Sequence, residues 1–147
     1  MRSRFRRTCV AALIGVGLLT QSSTNWLIEP HRMWIGRDVT GRDVVHFERS
    51  VPVPLYMRAR SAFVANEDGS RFCKSDRFAW FLPSEAAEDR ATPWPPRCDA
   101  PPPPGGYRIY TRISLCLWQI CARPARFVSD PVEVTPEGRY RTSGVSS

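Results

Sequence analysis

From Tyr107 to Leu117 the chain alternates by face. Tyr107, Ile109, Thr111, Ile113, Leu115 and Leu117 fall on one side, and Arg108, Tyr110, Arg112, Ser114 and Cys116 on the other. A period of two marks a strand with one buried and one wet face, because successive side chains point to opposite sides of a sheet. A helix would scatter these residues around its circumference. Leu55 to Val64 repeats the pattern, with Leu55, Met57, Ala59 and Phe63 opposed to Tyr56, Arg58 and Arg60. Two such strands cannot bury their apolar faces alone, so the chain must lay a sheet against another layer.

Shorter signals fill in the remainder. Arg32–Val39 and Asp43–Arg49 read as strands joined by a turn at Gly41. Asn66–Ser70 is a turn cluster, and Arg71–Lys74 reads as the returning strand. Ala122–Val128 reads as the partner of the long alternating strand, with Val132–Val134 following Asp130-Pro131. The chain has 14 prolines in 147 residues, about twice the usual frequency of roughly 5%. Most fall between Pro83 and Pro104, so residues 75–106 read as a long connection, since proline removes ladder donors. Ser84–Ala91 could form one helical turn within it. The fold expected is all-β: an antiparallel β-sandwich over residues 29–135, immunoglobulin-like in general architecture, preceded by an N-terminal apolar helix. Residues 136–147, rich in Gly and Ser at the end, read as a flexible tail.

The first 28 residues have a different character. Arg2, Arg4, Arg6 and Arg7 precede the uncharged run Cys9–Thr20, and no charge occurs from Thr8 to Ile28. A basic flank before a short apolar run is the layout of a secretory signal. It also suits a single-span anchor through residues 8–28, with the arginines inside and Trp26 at the outer interface. Either reading places the domain outside the cytoplasm, tethered to the inner membrane from the periplasmic side or released into the periplasm. The arginine block carries +4 of the +7 net charge, leaving the rest of the chain at +3. That modest excess argues against nucleic acid as the natural ligand.

Cys73, Cys98, Cys116 and Cys121 follow Cys9, and an even number in an exported chain suggests disulfides. Three connectivities are possible. The favoured one joins Cys116 to Cys121 across a tight hairpin and Cys73 to Cys98 around the proline-rich excursion, where a crosslink contributes about 2–4 kcal/mol. The cysteine spacing is poor for zinc, and no cofactor is expected.

The order of these features resembles that of small membrane-anchored, single-sandwich proteins of phages and proteobacteria. The shared pattern is a Trp-x-x-x-Pro exit from the anchor (Trp26 to Pro30), then Cys73, Leu82-Pro83, Trp94-Pro95, Cys98 and Gly106-Tyr107. The resemblance spans most of the chain beyond the anchor and supports Cys73–Cys98. Cys116 and Cys121 are additions to it. It implies a membrane-associated domain, possible phage origin, and no particular activity.

No G-x-S-x-G, H-E-x-x-H, P-loop or dinucleotide-binding pattern occurs, and only His31 and His46 could carry protons near neutral pH. The expectation is therefore a non-catalytic accessory or interaction domain, with a protein partner in the envelope. The alternative is a module that binds an anionic ligand (an acidic glycan, a lipid headgroup or nucleic acid) through an arginine-tyrosine sheet face. Its residues would be Arg58, Arg60, Arg108 and Arg112, with Tyr56 and Tyr110 among them, provided the two strands are neighbours.

Overall fold

The structure is a computed structural model, and it describes residues 17, 23–37, 39–41, 43–83, 92–93 and 102–142. A 3₁₀ turn, Thr24–Trp26, opens the described fold. The strands that follow are β1 (Glu29–Arg37), β2 (Asp43–Ser50), β3 (Leu55–Ala65), β4 (Arg71–Phe81), β5 (Thr92–Pro93) and β6 (Gly105–Ser114). After them come β7 (Cys116–Leu117), β8 (Ile120–Cys121), β9 (Ala125–Val128), β10 (Val132–Val134) and β11 (Tyr140–Thr142). All the strand pairs are antiparallel.

The larger sheet is organised by β6. One edge pairs with β3, from Arg58↔Ser114 to Ala65↔Tyr107. The other edge pairs first with β9 and then with β10. Ser129 spans the gap between those two: its N–H donates to the Ile109 carbonyl, and its buried hydroxyl accepts from the Ile109 N–H at 2.8 Å. The β6 edge thus stays bonded where the partner strand changes, as a buried backbone requires. β4 flanks β3 and β11 flanks β10. The smaller sheet has the order β1-β2-β5.

The alternation read from the sequence sets the core. Met57, Phe63, Ile109 and Ile113 are at most 1% exposed, and Met33, Ile35 and Val45 meet them from the smaller sheet. Burying a side chain such as Phe63 contributes roughly 1.5–3 kcal/mol. Tyr140 stacks on Phe63 at 5.4 Å between centroids, and Phe47 meets Phe127 at 4.3 Å. Polar ties also cross between the sheets: Asp130 N–H donates to Met33 O, the Thr142 hydroxyl donates to Ile35 O at 2.7 Å, and the Arg32 guanidinium donates to the Asp130 carboxylate. Arg49 lies over the rings of Phe47 and Phe81, and burial lowers its guanidinium pKa to about 10.

Several boundaries differ from expectation. β1 begins at Glu29 because a bulge between Pro30 and Arg32 absorbs the proline's missing donor. Gly41, at φ +78°, makes the β1–β2 turn as expected. β4 runs to Phe81 and not only to Lys74; its outward positions obscured the pattern. The alternating strand ends at Ser114, so Leu117 is 67% exposed and leaves the buried face. The tail is corrected too, since Tyr140–Thr142 pairs with β10 and buries Tyr140. The proposed turn at Ser84–Ala91 lies outside the described residues, as do Cys98, residues 143–147 and all but Gly17 of residues 1–22. Among the described residues, no helix is long and apolar enough to cross a membrane.

Candidate functional site

The face of the larger sheet turned away from the core carries the candidate site. Strand register arranges its side chains in rows. Tyr56 lies beside Trp80, and Arg58 lies between Phe78 and Ser114. The next row runs Asp76, Arg60, Arg112 and Arg126, across β4, β3, β6 and β9. Ala62, Tyr110 and Val128 form the row after it, followed by Arg71, Val64 and Arg108. The pairing of β3 with β4 shifts between Ser61 and Phe63, and Cys73 takes a positive φ of 50°. A bulge of this kind re-aims the side chains next to it.

A cleft of about 650 Å³ opens on this face. Its cations are Arg60, Arg71, Lys74, Arg112 and Arg126, with Asp76 at one side. Ala62, Val64, Tyr110 and Val128 supply its apolar surface. The size falls within the range of roughly 300–1,000 Å³ usual for small-ligand sites.

The four expected arginines do project from neighbouring strands. They differ in their partners. Arg58 grips Asp76 with two bonds, Nε to Oδ1 at 2.8 Å and Nη2 to Oδ2 at 2.7 Å, and lies over Phe78. Arg60 donates to the same carboxylate at 3.1 Å. Asp76 thus shares one negative charge between two of the four arginines, and the Arg58 hydrogen bond holds its carboxyl below the usual range. Arg112 lines the cleft, whereas Arg108 sits beyond Tyr110 and outside its lining. The sequence reading missed Arg71, Lys74, Arg126 and Asp76. Arg126 was legible in principle, because Ala125 and Phe127 are buried on either side of it.

Beside the arginine row stands an exposed aromatic group. Tyr56 packs on Phe78 at 5.6 Å and on Trp80 at 5.3 Å between centroids. All three rings keep large exposed areas.

Neither histidine meets a carboxylate among the described residues. His31 bonds the Ser50 hydroxyl at 2.8 Å. His46 stacks on Trp34 at 5.1 Å, and Gly36 makes room for it, since a Cβ there would lie 2.6 Å from its Nε2. Among the described residues, no group of His, Cys, Asp and Glu could hold a metal ion. Cys116 and Cys121 are disulfide-bonded in direct register. Cys73 is also disulfide-bonded, and its expected partner Cys98 lies outside the described residues.

No protein-family model, curated protein or solved structure matches this chain. The all-β architecture and the geometry of its outer face are therefore the ground on which function is argued.

Proposed function

We propose that the chain is a non-catalytic, membrane-tethered extracytoplasmic module that holds an anionic ligand in the cleft on the outer face of its larger sheet. The arginine block and the uncharged residues 8–22 support the tether, with release by signal cleavage as the second route to the same compartment; Thr24, Leu27 and Ile28, expected within the anchor, are buried in the domain instead. In this reading the apolar run is helical and the sandwich is immunoglobulin-like in general arrangement. Cys73 pairs with Cys98.

The observation that carries the ligand assignment is the row Arg60–Arg112–Arg126. Like charges directly opposite on adjacent strands destabilise a sheet by a few tenths of a kcal/mol or more. Among the described residues, only Arg60 of this row has a carboxylate partner. An anion seated over Arg112 and Arg126 would remove the repulsion and accept charge-assisted hydrogen bonds. The apolar surface of Ala62, Val64 and Tyr110 suits a ligand with a carbon skeleton rather than a bare ion. The Tyr56, Phe78 and Trp80 rings stand across the arginine row from that surface, as an acidic glycan would use them, stacking sugar faces on rings and carboxylates or sulfates on arginines.

Titration of the full-length protein in detergent with heparin-type oligosaccharides tests the assignment. Binding at low salt that weakens as salt rises is the expected result, because exposed charges are screened within about 8 Å at physiological ionic strength. No binding at low salt to glycan, anionic lipid or nucleic acid would reduce the face to a solvated surface.

A further inference from the structure

β7 and β8 form a short ribbon closed by the Cys116–Cys121 disulfide. Its tip carries Leu117 and Trp118, 67% and 93% exposed. Trp118 has a φ of +60°, which costs a non-glycine residue about 1–2 kcal/mol. The crosslink keeps so small a loop closed, contributing about 2 kcal/mol in the chain-entropy account. Packing within the domain does not explain a braced loop that turns an indole and a leucine into water.

The adjoining chain supplies a reason. Ser23 makes an isolated parallel bridge with Arg123, and Thr24 N–H donates to the Arg123 carbonyl at 2.8 Å. The hydroxyl of the fully buried Thr24 accepts from Leu115 N–H at 3.4 Å. Residues 23 and 24 therefore sit against both of the limbs that carry the ribbon, which are themselves joined by the Ala122 N–H donating to the Leu115 carbonyl. Because the bridge is parallel, the chain passes Ser23 in the same sense as the limb running from Cys121 to Arg123, away from the ribbon's tip. The tip thus points to the side from which the polypeptide arrives. The polypeptide that arrives there is the uncharged sequence 8–22, since Thr24, Leu27 and Ile28 are buried in the domain.

We infer that Leu117 and Trp118 seat in the phospholipid headgroup region of the membrane that holds the N-terminal segment. The ribbon is then a second contact with the bilayer, covalently braced. The inference rests on the tethered reading above. Tryptophan favours this layer because its ring is apolar and its N–H is polar. Arg123, at the base of the ribbon, complements acidic headgroups. The reach is adequate: five extended residues from Arg123 to Trp118 span at most about 16 Å, against a headgroup layer on the order of 5–7 Å on each side. Two contacts, where the tether alone would give one, fix the orientation of the domain and keep the cleft from turning freely.

Full-length protein reconstituted into phosphatidylethanolamine–phosphatidylglycerol vesicles, with or without brominated acyl chains, tests this. Flotation with the vesicles reads the tether. Bromine quenching, compared between the unaltered chain and Trp118→Phe, reads the tip. Both proteins should float, and the quenched fluorescence should fall by about a third in the variant, because Trp26, Trp80 and Trp118 are the indoles at this end of the fold among the described residues. Flotation with equal quenching in both overturns the tip contact and leaves the tether standing. Protein that stays in the soluble fraction overturns the tether and the tip contact together. Trp118 shielded only as protein concentration rises, with no response to bromine, also overturns the lipid contact and indicates a second copy instead. Trp118 lies outside the core, so unchanged circular dichroism in the variant is expected and separates a local from a global effect.

Discussion

The two faces of β3 and β6 are built from alternate residues of the same strands, yet they behave as different materials. On the inner face Met57, Phe63, Ile109 and Ile113 are at most 1% exposed and interlock with the smaller sheet. On the outer face Tyr56 and Tyr110 are 50% and 44% exposed, and arginines stand in register with arginines. The inner face is arranged so that every neighbour supports folding. The outer face contains a local conflict, the Arg60–Arg112–Arg126 row, that folding alone does not require. Stability should therefore reside on one side of these strands and binding on the other, and substitutions can separate the two.

The largest effect belongs to the inner face. Phe63→Ala removes a fully buried ring that stacks on Tyr140 and meets Tyr107 edge-on. It should cost about 3–5 kcal/mol, read as a lowered denaturation midpoint. The molecules that remain folded should bind a polyanion as before. A variant that kept its stability and lost binding would break the division between the faces.

On the outer face the effects reverse. Arg112→Ala with Arg126→Ala should weaken heparin binding about tenfold or more at low salt, since charge-assisted hydrogen bonds contribute about 1.5–3 kcal/mol each before screening. Stability should stay within about 0.5 kcal/mol, or rise slightly as the like-charge row is relieved. Calorimetric binding and thermal unfolding of the same preparation check both. Equal binding by the double variant would move the site away from the cleft.

The difference between the faces also explains what the sequence made legible. Alternation identified β3 and β6, their inward residues and the outward Arg58, Arg60, Arg108 and Arg112, because period two is a local property. Short spacing, also a local property, placed the β10 strand after Asp130-Pro131 and the Cys116–Cys121 pair across a tight hairpin. Alternation could not show that Asp76 on β4 would lie across from Arg60, since that depends on the register of a strand whose outward positions hide its pattern. Nor could it bring Arg71 and Lys74 to one cleft with Arg126, because β4 and β9 are brought together only through the pairing of β3 and β6 between them. Tyr140 was misread for a related reason. The segment around it is polar and glycine-punctuated, and only the ring of Phe63 across the core gives it a place.

The smallest expected effect lies where two outer arginines share one carboxylate. Asp76 accepts from Arg58 and Arg60, and its folded pKa is lowered, chiefly by the Arg58 hydrogen bond. A depressed carboxyl contributes stability above its ordinary value and loses that contribution as pH falls through the lower folded value. The pair should therefore stay intact through neutral and mildly acidic solution and open only in stronger acid. Asp76 is a surface acid, so its loss should change stability little. Its effect on binding should be clearer. Asp76→Asn releases both guanidinium groups, so affinity for a sulfated glycan, whose charge does not titrate here, should rise a few-fold at neutral pH. The unaltered protein should gain affinity in the same direction as strong acid protonates Asp76, and the variant should show no such gain. Titrations of both proteins from neutral to acid pH decide the matter. A gain that persists in Asp76→Asn would assign the acid response to another group, and with it the view that Asp76 restrains this face.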